Sequence, residues 1–493
     1  MKRFPVLLLA AFVGVAAASS AQQQQEQPAA AGRALSLPEA LELADQASET
    51  VRVAEAAVNR AEAQKKQARS ERFPQLDGSS SYTRTLHSEF QDIDFDFGGG
   101  DSGSLSDLPF GQRNQYRLGL VFNQMLWSGG RITAQTRAAA VAVDSAFAGL
   151  AAAHAELQLT VTQAYFDALL LDRLVVISEQ TLEQASRAYE QTKLAKEVGN
   201  QSEFELLRAQ VSRDNLRPAL VQRRADRDLA YARLAQLLDL PPSEPLQLTT
   251  SFADFATWQA KGEVPAVADR AAWLQKITDD RVPVRQAHAA VEVQKQQVKI
   301  AHSERLPSIG ASSDYGRVAY PNGGLPAWAD TRTNWTVGLG LRVPLLTGGR
   351  LAAQEGAARA TLDEAKARFD QTREAAWLDA RDALDRLAAA DAVFQAAFGT
   401  IAQAQRAYKI AELRYREGLS TQLELNDTRI QLTFAQGNAA LAARNLQVAR
   451  ARVALLPDLP LGAGAGSTLT AASAGVSAPT PTAPTAIVSP AGF

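Results

Sequence analysis

The chain has 493 residues, 46% of them hydrophobic and 21% charged, with a net charge of −2 and no cysteine. This is the balance of a folded chain rather than a disordered one. A near-neutral charge gives no reason to expect nucleic-acid binding, which needs a basic face. The missing thiol excludes disulfides, thiolate catalysis, cysteine metal sites and lipidation of an N-terminal cysteine.

Lys2 and Arg3 precede an apolar run over residues 6–18, followed by the small residues Ser19, Ser20 and Ala21. This pattern predicts a secretory signal over residues 1–21, because the run is short for a membrane anchor. No later stretch holds ~20 consecutive apolar residues, so no transmembrane helix is expected in the mature chain.

The chain then repeats itself. Arg72-Phe73-Pro74-Gln75-Leu76 returns as Arg305-Leu306-Pro307-Ser308-Ile309, and Trp127-Ser128-Gly129-Gly130-Arg131 returns as Leu346-Thr347-Gly348-Gly349-Arg350. Gly199 with Phe204-Glu205-Leu206 returns as Gly418 with Leu423-Glu424-Leu425. The last two pairs share an offset of 219 residues and the first has 233, which places one 14-residue insertion between Leu76 and Tyr116. One duplicated unit accounts for this order. The boundaries are a first repeat over 22–240, a connecting segment over 241–283, a second repeat over 284–456 and a tail over 457–493.

Each unit reads alike in chain order. A helix comes first, over 36–71 with Pro38 in its first turn, and over 284–304 in the second unit. Two strands follow. In 335–343, Trp335, Val337, Leu339, Leu341 and Val343 alternate with Thr336, Gly338, Gly340 and Arg342; Tyr116, Leu118, Leu120 and Phe122 alternate with Arg117, Gly119, Val121 and Asn123. The partner strands, over 75–85 and 308–320, are rich in Ser and Gly, with Tyr82 matching Tyr315. Next comes a proline-free helical stretch from residue 131 to 198, and from 345 to 456 in the second unit. A helix over 131–197 would be roughly 100 Å long, which no compact domain accommodates. The glycines Gly199 and Gly418 mark turns into a second helix. The connecting segment is proline-rich and reads as irregular, and the Gly/Ala/Ser/Thr/Pro tail reads as disordered.

Four strands cannot close a barrel, since outer-membrane barrels need at least ~8. Their open edges cannot face lipid, because each unpaired backbone group there costs several kcal/mol. Strands in a membrane would therefore have to be pooled between copies, and three copies would supply twelve.

The region up to about residue 456 resembles the TolC-like outer-membrane efflux protein family. The resemblance rests on Leu37-Pro38-Glu39-Ala40-Leu41-Glu42-Leu43-Ala44, the Arg-x-Pro segments at Pro74 and Pro307, the paired Gly-Gly-Arg strand ends and Tyr415-Arg416-Glu417-Gly418-Leu419. It implies a mixed fold, a long α-helical barrel joined to a four-strand contribution to a trimeric twelve-stranded transmembrane β-barrel. It implies a homotrimer in the outer membrane of a Gram-negative bacterium, in contact with outer-membrane lipid. Its helices would stand in the periplasm and dock a periplasmic adaptor (membrane fusion) protein and an inner-membrane transporter. The activity implied is a passive exit duct for efflux or type I secretion, without cofactor or catalysis.

By the same resemblance, Gly199 and Gly418 are the helix-turn tips of a periplasmic gate. Glu424 and Asp427 line its constriction, Glu205 is the repeat partner of Glu424, and Tyr415 helps to hold the closed state. This chain departs from the pattern at Ser420, where some relatives carry a basic residue. Without the resemblance, these acidic residues also read as solvated helix positions.

The insertion over 88–108 carries Asp92, Asp94 and Asp96, but Phe97 and Gly103 break the EF-hand template, which leaves an acidic extracellular loop. Trp127, Tyr116, Trp335 and Trp328 suit an aromatic belt at the membrane interface, or simple sheet packing. His87, His154, His288 and His302 do not cluster, and no nucleophile elbow, P-loop or dinucleotide fingerprint is present. The competing readings are a wholly periplasmic structural or adaptor coiled coil without a pore, and a periplasmic enzyme on a helical scaffold.

Overall fold

The computed structural model describes residues 33–87, 113–241, 244–250, 270–321 and 325–462. The predicted signal, the acidic insertion and the tail beyond 462 lie outside the described residues. The chain opens with β1 (Arg33–Leu35), α1 (Leu37–Ala47) and α2 (Glu49–Ser70), then β2 (Gln75–Arg84) and β3 (Asn114–Trp127). The first long helix, α3 (Arg131–Glu197), is followed by α4 (Glu203–Asp214), α5 (Leu216–Leu237) and β4 (Leu246–Leu248). The second half has α6 (Arg270–Asp280), α7 (Val282–Ser303), β5 (Ser308–Ala319) and β6 (Arg332–Arg342). It ends with α8 (Arg350–Arg416) and α9 (Gln422–Leu455).

Three elements differ from the sequence reading. The helix expected over 36–71 is two helices. Ser48 leaves the helical path with ψ 121°, and its Oγ accepts from the N–H of Val51 at 3.3 Å, so it caps α2 as Ser36 caps α1. The helix returning from Gly199 is likewise divided at Asn215, three residues before Pro218, whose ring cannot continue the preceding hydrogen-bond ladder. The segment over 241–283 is not wholly irregular. β4 pairs in parallel with β1, Leu248 opposite Leu35, and Trp273, Leu274 and Ile277 of α6 pack against α8 and α9.

The long helices agree with the repeat. α3 and α8 each have 67 residues, and both ends of α8 are displaced from those of α3 by the same 219 positions. Each would extend roughly 100 Å. Both begin after a left-handed glycine, Gly130 at φ +91° and Gly349 at φ +83°. At Gly129 (φ +60°) a Cβ would also stand 2.8 Å from that of Leu306 and 2.9 Å from the Ser303 carbonyl, so the turn fits against α7 only without a side chain.

One stretch of α3 is long and apolar enough to cross a membrane by length and composition. The hydropathy comes from alanine. α3 packs along α2, α5, α7 and α9, burying Ala134, Ala138, Ala148, Ala155, Ala168, Ala185 and Ala188, small residues that let helix axes approach closely. It thus forms part of the helical wall.

Two cores brace the middle of the helices. In the first half, Leu35, Leu37, Ala40 and Ala44 pack on Val161, Tyr165, Phe166 and Leu234, and the Tyr165 hydroxyl donates to the Leu35 carbonyl at 2.9 Å. In the second half the brace is ionic. Arg281, fully buried at the start of α7, meets Asp379 of α8 at 2.7 Å, and Arg452 of α9 takes the other Asp379 oxygen at 2.8 Å. Arg281 also donates to the carbonyls of Ala376 (3.1 Å) and Leu459 (3.2 Å). Leu459, beyond the boundary set for the tail, is therefore part of the fold.

Replacing Arg281 leaves Asp379 its bond to Arg452 but removes the donor from the Ala376 and Leu459 carbonyls. Arg281→Ala is expected to cost about 1.5–3 kcal/mol, read as a lowered thermal unfolding midpoint of the detergent-solubilised protein. An unchanged midpoint would contradict the brace.

Candidate functional site

The end of the helices remote from the sheet is built twice, by one local rule. α3 closes with Asn200 N–H on the Ala195 carbonyl (2.8 Å) and Gly199 N–H on Lys196 (2.9 Å). α8 closes with Leu419 N–H on Arg414 (2.8 Å) and Gly418 N–H on Tyr415 (3.0 Å). These are Schellman closures, which need a left-handed residue; Gly199 has φ +82° and Gly418 φ +72°. Ser202 and Thr421 then cap the returning helices, accepting from Glu205 N–H and Glu424 N–H at 3.3 Å each. The two acidic residues thus occupy equivalent third positions of their helices, where the helix dipole favours negative charge.

The side chains around these turns are not equivalent. Glu424 meets Arg414 across the turn at 3.4 Å, both partly exposed, so the pair contributes at most about 1 kcal/mol. Asp427 lies one turn further along α9, on the same face as Glu424, exposed and without an ion pair among the described residues. Glu205 is half-buried, and one of its oxygens is buried without a hydrogen bond. Tyr415 is buried, and its hydroxyl lies 2.6 Å from Thr192 Oγ1 of α3. Thr192 spends its own proton on the Ala188 carbonyl (2.7 Å), so the phenol is the donor. Burial raises the Tyr415 pKa, the Thr192 hydrogen bond lowers it and the Glu205 charge adds to the rise. Burial, then Glu412, pushes Tyr408 up to about 12.

The structure thus joins Tyr415 to α3 and sets Glu205 within electrostatic reach of it, while Glu424 and Asp427 share a face turned away from this cluster. Sequence reasoning missed Thr192, Arg414 and Arg429. Arg429 is buried between α4 and α9, on Ser212 Oγ at 2.7 Å and Asn426 Oδ1, and burial lowers its pKa. It has no carboxylate partner among the described residues. Its repeat position is Gln210, so a break in the repeat was the available signal for Arg429; Thr192 gave none. Ser420 Oγ is buried without a hydrogen-bond partner among the described residues.

At the opposite end, β2, β3, β5 and β6 form an antiparallel sheet in that order. Its register puts Leu76, Tyr82, Tyr116, Leu118, Leu120, Phe122, Tyr315, Trp335, Val337, Leu339 and Leu341 on one face. Trp335, Val337 and Leu339 are 70%, 77% and 73% exposed, a contiguous apolar patch of the kind that marks a membrane or protein interaction face. Tyr82 stacks near Tyr116 (4.7 Å) and Tyr315 meets Trp335 edge-on (6.5 Å) at the loop end, while Trp127 lies at the helix end. The predicted aromatics thus sit toward the two ends of the apolar face.

The outer membrane efflux protein family model matches residues 40–239 and 273–456. The chain belongs to the outer membrane efflux protein family. A pyoverdine export outer membrane protein of Pseudomonas putida is 24% identical over 310 residues, 62% of this chain and 61% of its own length. A toluene efflux pump outer membrane protein of the same species is 23% identical over 281 residues, 56% of this chain and 55% of its own. The matched region thus spans less than two thirds of these relatives. The fold is shared with CusC (TM-score 0.70, 20% identity, 85% of this chain and 91% of that one) and Vibrio cholerae VceC (TM-score 0.68, 21% identity, 85% and 96%). It is also shared with the open-state Neisseria gonorrhoeae MtrE channel (TM-score 0.69, 20% identity, 86% and 89%).

This efflux-family chain therefore has the TolC-like channel fold, with its sheet in the outer membrane and its helices in the periplasm. A wholly periplasmic coiled coil accommodates neither the family nor the bare apolar sheet face.

Tyr415→Phe is expected to cost about 1 kcal/mol in stability of the tip, seen as faster proteolysis near Gly418 while the sheet stays protected. Raised phenol pKa values also fix a sign. Below about pH 10 both folded and unfolded tyrosines hold their protons. Between there and about 12 the folded state alone keeps that of Tyr408, so stability falls as pH rises through this window. Tyr408→Phe should flatten that part of the stability–pH profile, and an unchanged slope would exclude the tyrosine as its source.

Proposed function

We propose that this chain is one of three identical subunits of a passive exit duct that carries cargo across the outer membrane, closed at its periplasmic tip. The observation that supports this most strongly is the pair of bare strand edges. β2 and β6 are the outer strands of the sheet and are exposed along their full length. β2 runs away from the helices and β6 runs back toward them, so β6 of one copy can pair antiparallel with β2 of the next. Unpaired backbone groups in lipid cost several kcal/mol each, which a closed ring removes. Three four-stranded contributions give a twelve-stranded barrel, within the known range.

In this reading the polar face of the sheet, with Asp77, Arg117, Asp314 and Arg342, lines the pore. At the tip, Glu424 and Asp427 from three copies form acidic rings that attract cations and repel one another. Tyr415, donating to Thr192, holds α8 against α3, and Glu205 lies beside that contact. Opening replaces these contacts with ones to a periplasmic adaptor protein, and an inner-membrane transporter supplies the energy. The chain itself performs no catalysis. Its cargo, in efflux or type I secretion, is set by the transporter.

Purification in detergent followed by mass measurement and planar-bilayer recording is expected to give three chains per particle and a conducting pore. A monomer without conductance would overturn the proposal. Glu424→Ala with Asp427→Ala is expected to reduce cation preference of the closed channel several-fold, about 1 kcal/mol per removed charge. Unchanged selectivity would place both residues outside the aperture.

A further inference from the structure

The apolar face of the sheet carries two charged residues among those described, Arg84 and Arg317. Both lie in its loop half. Arg84 stands opposite Asn114, beyond the Tyr82–Tyr116 pair, and Arg317 stands opposite Leu118 and Thr333, one row beyond Tyr315 and Trp335. A charge on a lipid-facing strand is tolerated best near the interface. With the helices in the periplasm, this end meets the outer leaflet.

Neither guanidinium has a carboxylate partner among the described residues. Arg317 stacks on Trp328, whose ring centroid is 3.8 Å from Cζ, and its Nε is buried without a hydrogen bond. Trp328 belongs to a short 3₁₀ turn, Trp328–Asp330, in the loop between β5 and β6. Asp330, in the same turn as Trp328, accepts from Ala327 N–H at 3.0 Å. Asp77 and Asp314 alternate to the other face. A guanidinium on the apolar face at this end is placed to meet an anionic lipid headgroup.

We propose that Arg84 and Arg317, with Trp328 as platform, bind the phosphorylated disaccharide headgroup of the outer-leaflet glycolipid, lipid A. The inference rests on the sheet standing in the outer membrane with its loops outward. Spacing favours this lipid over a phospholipid. The two arginines are two strands and four residues of register apart, roughly 16 Å between Cα atoms. A bisphosphorylated disaccharide can bridge that span, whereas a single phosphodiester reaches one arginine at a time. Guanidinium forks are suited to phosphate, and stacking on Trp328 holds the Arg317 fork in place.

The test is native mass spectrometry of the detergent-solubilised full chain with three probes: bisphosphorylated lipid A, the same lipid with both phosphates removed, and phosphatidylglycerol. The wild type is expected to retain lipid A about tenfold more tightly than either other lipid. Arg84→Ala and Arg317→Ala should each weaken it about tenfold, the loss of one charge-assisted contact. Arg317→Lys should recover only part of the loss. Arg342→Ala, a charge on the opposite face, should retain lipid A as the wild type does. Equal retention by the Arg84→Ala/Arg317→Ala variant, at unchanged oligomeric mass, would overturn the site. So would equal binding of phosphatidylglycerol, or an equal loss in Arg342→Ala. Failure of the wild type to fractionate with the outer membrane would overturn the membrane reading itself, which separates the two outcomes.

Discussion

Backbone hydrogen bonding in lipid is the constraint from which the rest of this chain follows. A strand inside a membrane must find a partner on each side, because no water is present to take the place of one. The four-strand sheet satisfies its interior strands and leaves β2 and β6 bare. One chain therefore leaves its membrane part incomplete. The same division appears in the side chains. The helices bury alanine-rich seams and two braced cores, whereas the sheet turns Trp335, Val337 and Leu339 outward, uncovered by any of the described residues.

Much of this architecture was legible before any coordinates. Period-two alternation fixes which face of β6 is apolar. Two 67-residue helices follow from proline-free, alanine-rich runs bounded by glycines, and the shared offset of 219 ties both ends of α8 to those of α3. What escaped were features decided by a single capping or steric event. Ser48 breaks a strongly helical stretch because its hydroxyl can serve the next helix, and no periodicity reveals that choice. β4 and α6 fall within a proline-rich segment whose composition suggests loop. They are ordered by contacts distant in sequence, Leu35 with Leu248 and Trp273 with the α8–α9 seam.

The tip was legible in outline for a physical reason. A helix that ends on a left-handed glycine and restarts on Ser or Thr followed by Glu must place the acid at the third helical position, so Glu205 and Glu424 were locatable from sequence. Their partners were not. Tyr415 meets Thr192 over a separation of 223 residues, and Arg429 meets Ser212 over 217. Such pairs are set by how two hairpins lie side by side, which local sequence does not encode.

Duplication also explains why the two halves are alike in backbone and unlike in chemistry. Closure and capping are conditions on φ, ψ and hydrogen bonds, so Gly199 and Gly418, or Ser202 and Thr421, cannot drift far without losing the turn. Side chains beside the turn face no such condition. Ala195 stands where the second half has Arg414, Lys196 where it has Tyr415, and Gln210 where it has Arg429. The second hairpin therefore carries the Arg414–Glu424 pair, the Tyr415 phenol and the buried Arg429, while the first presents Thr192 to the phenol and Ser212 to the guanidinium. The two hairpins thus obey one set of backbone rules while their side chains differ, the second donating to groups that the first presents.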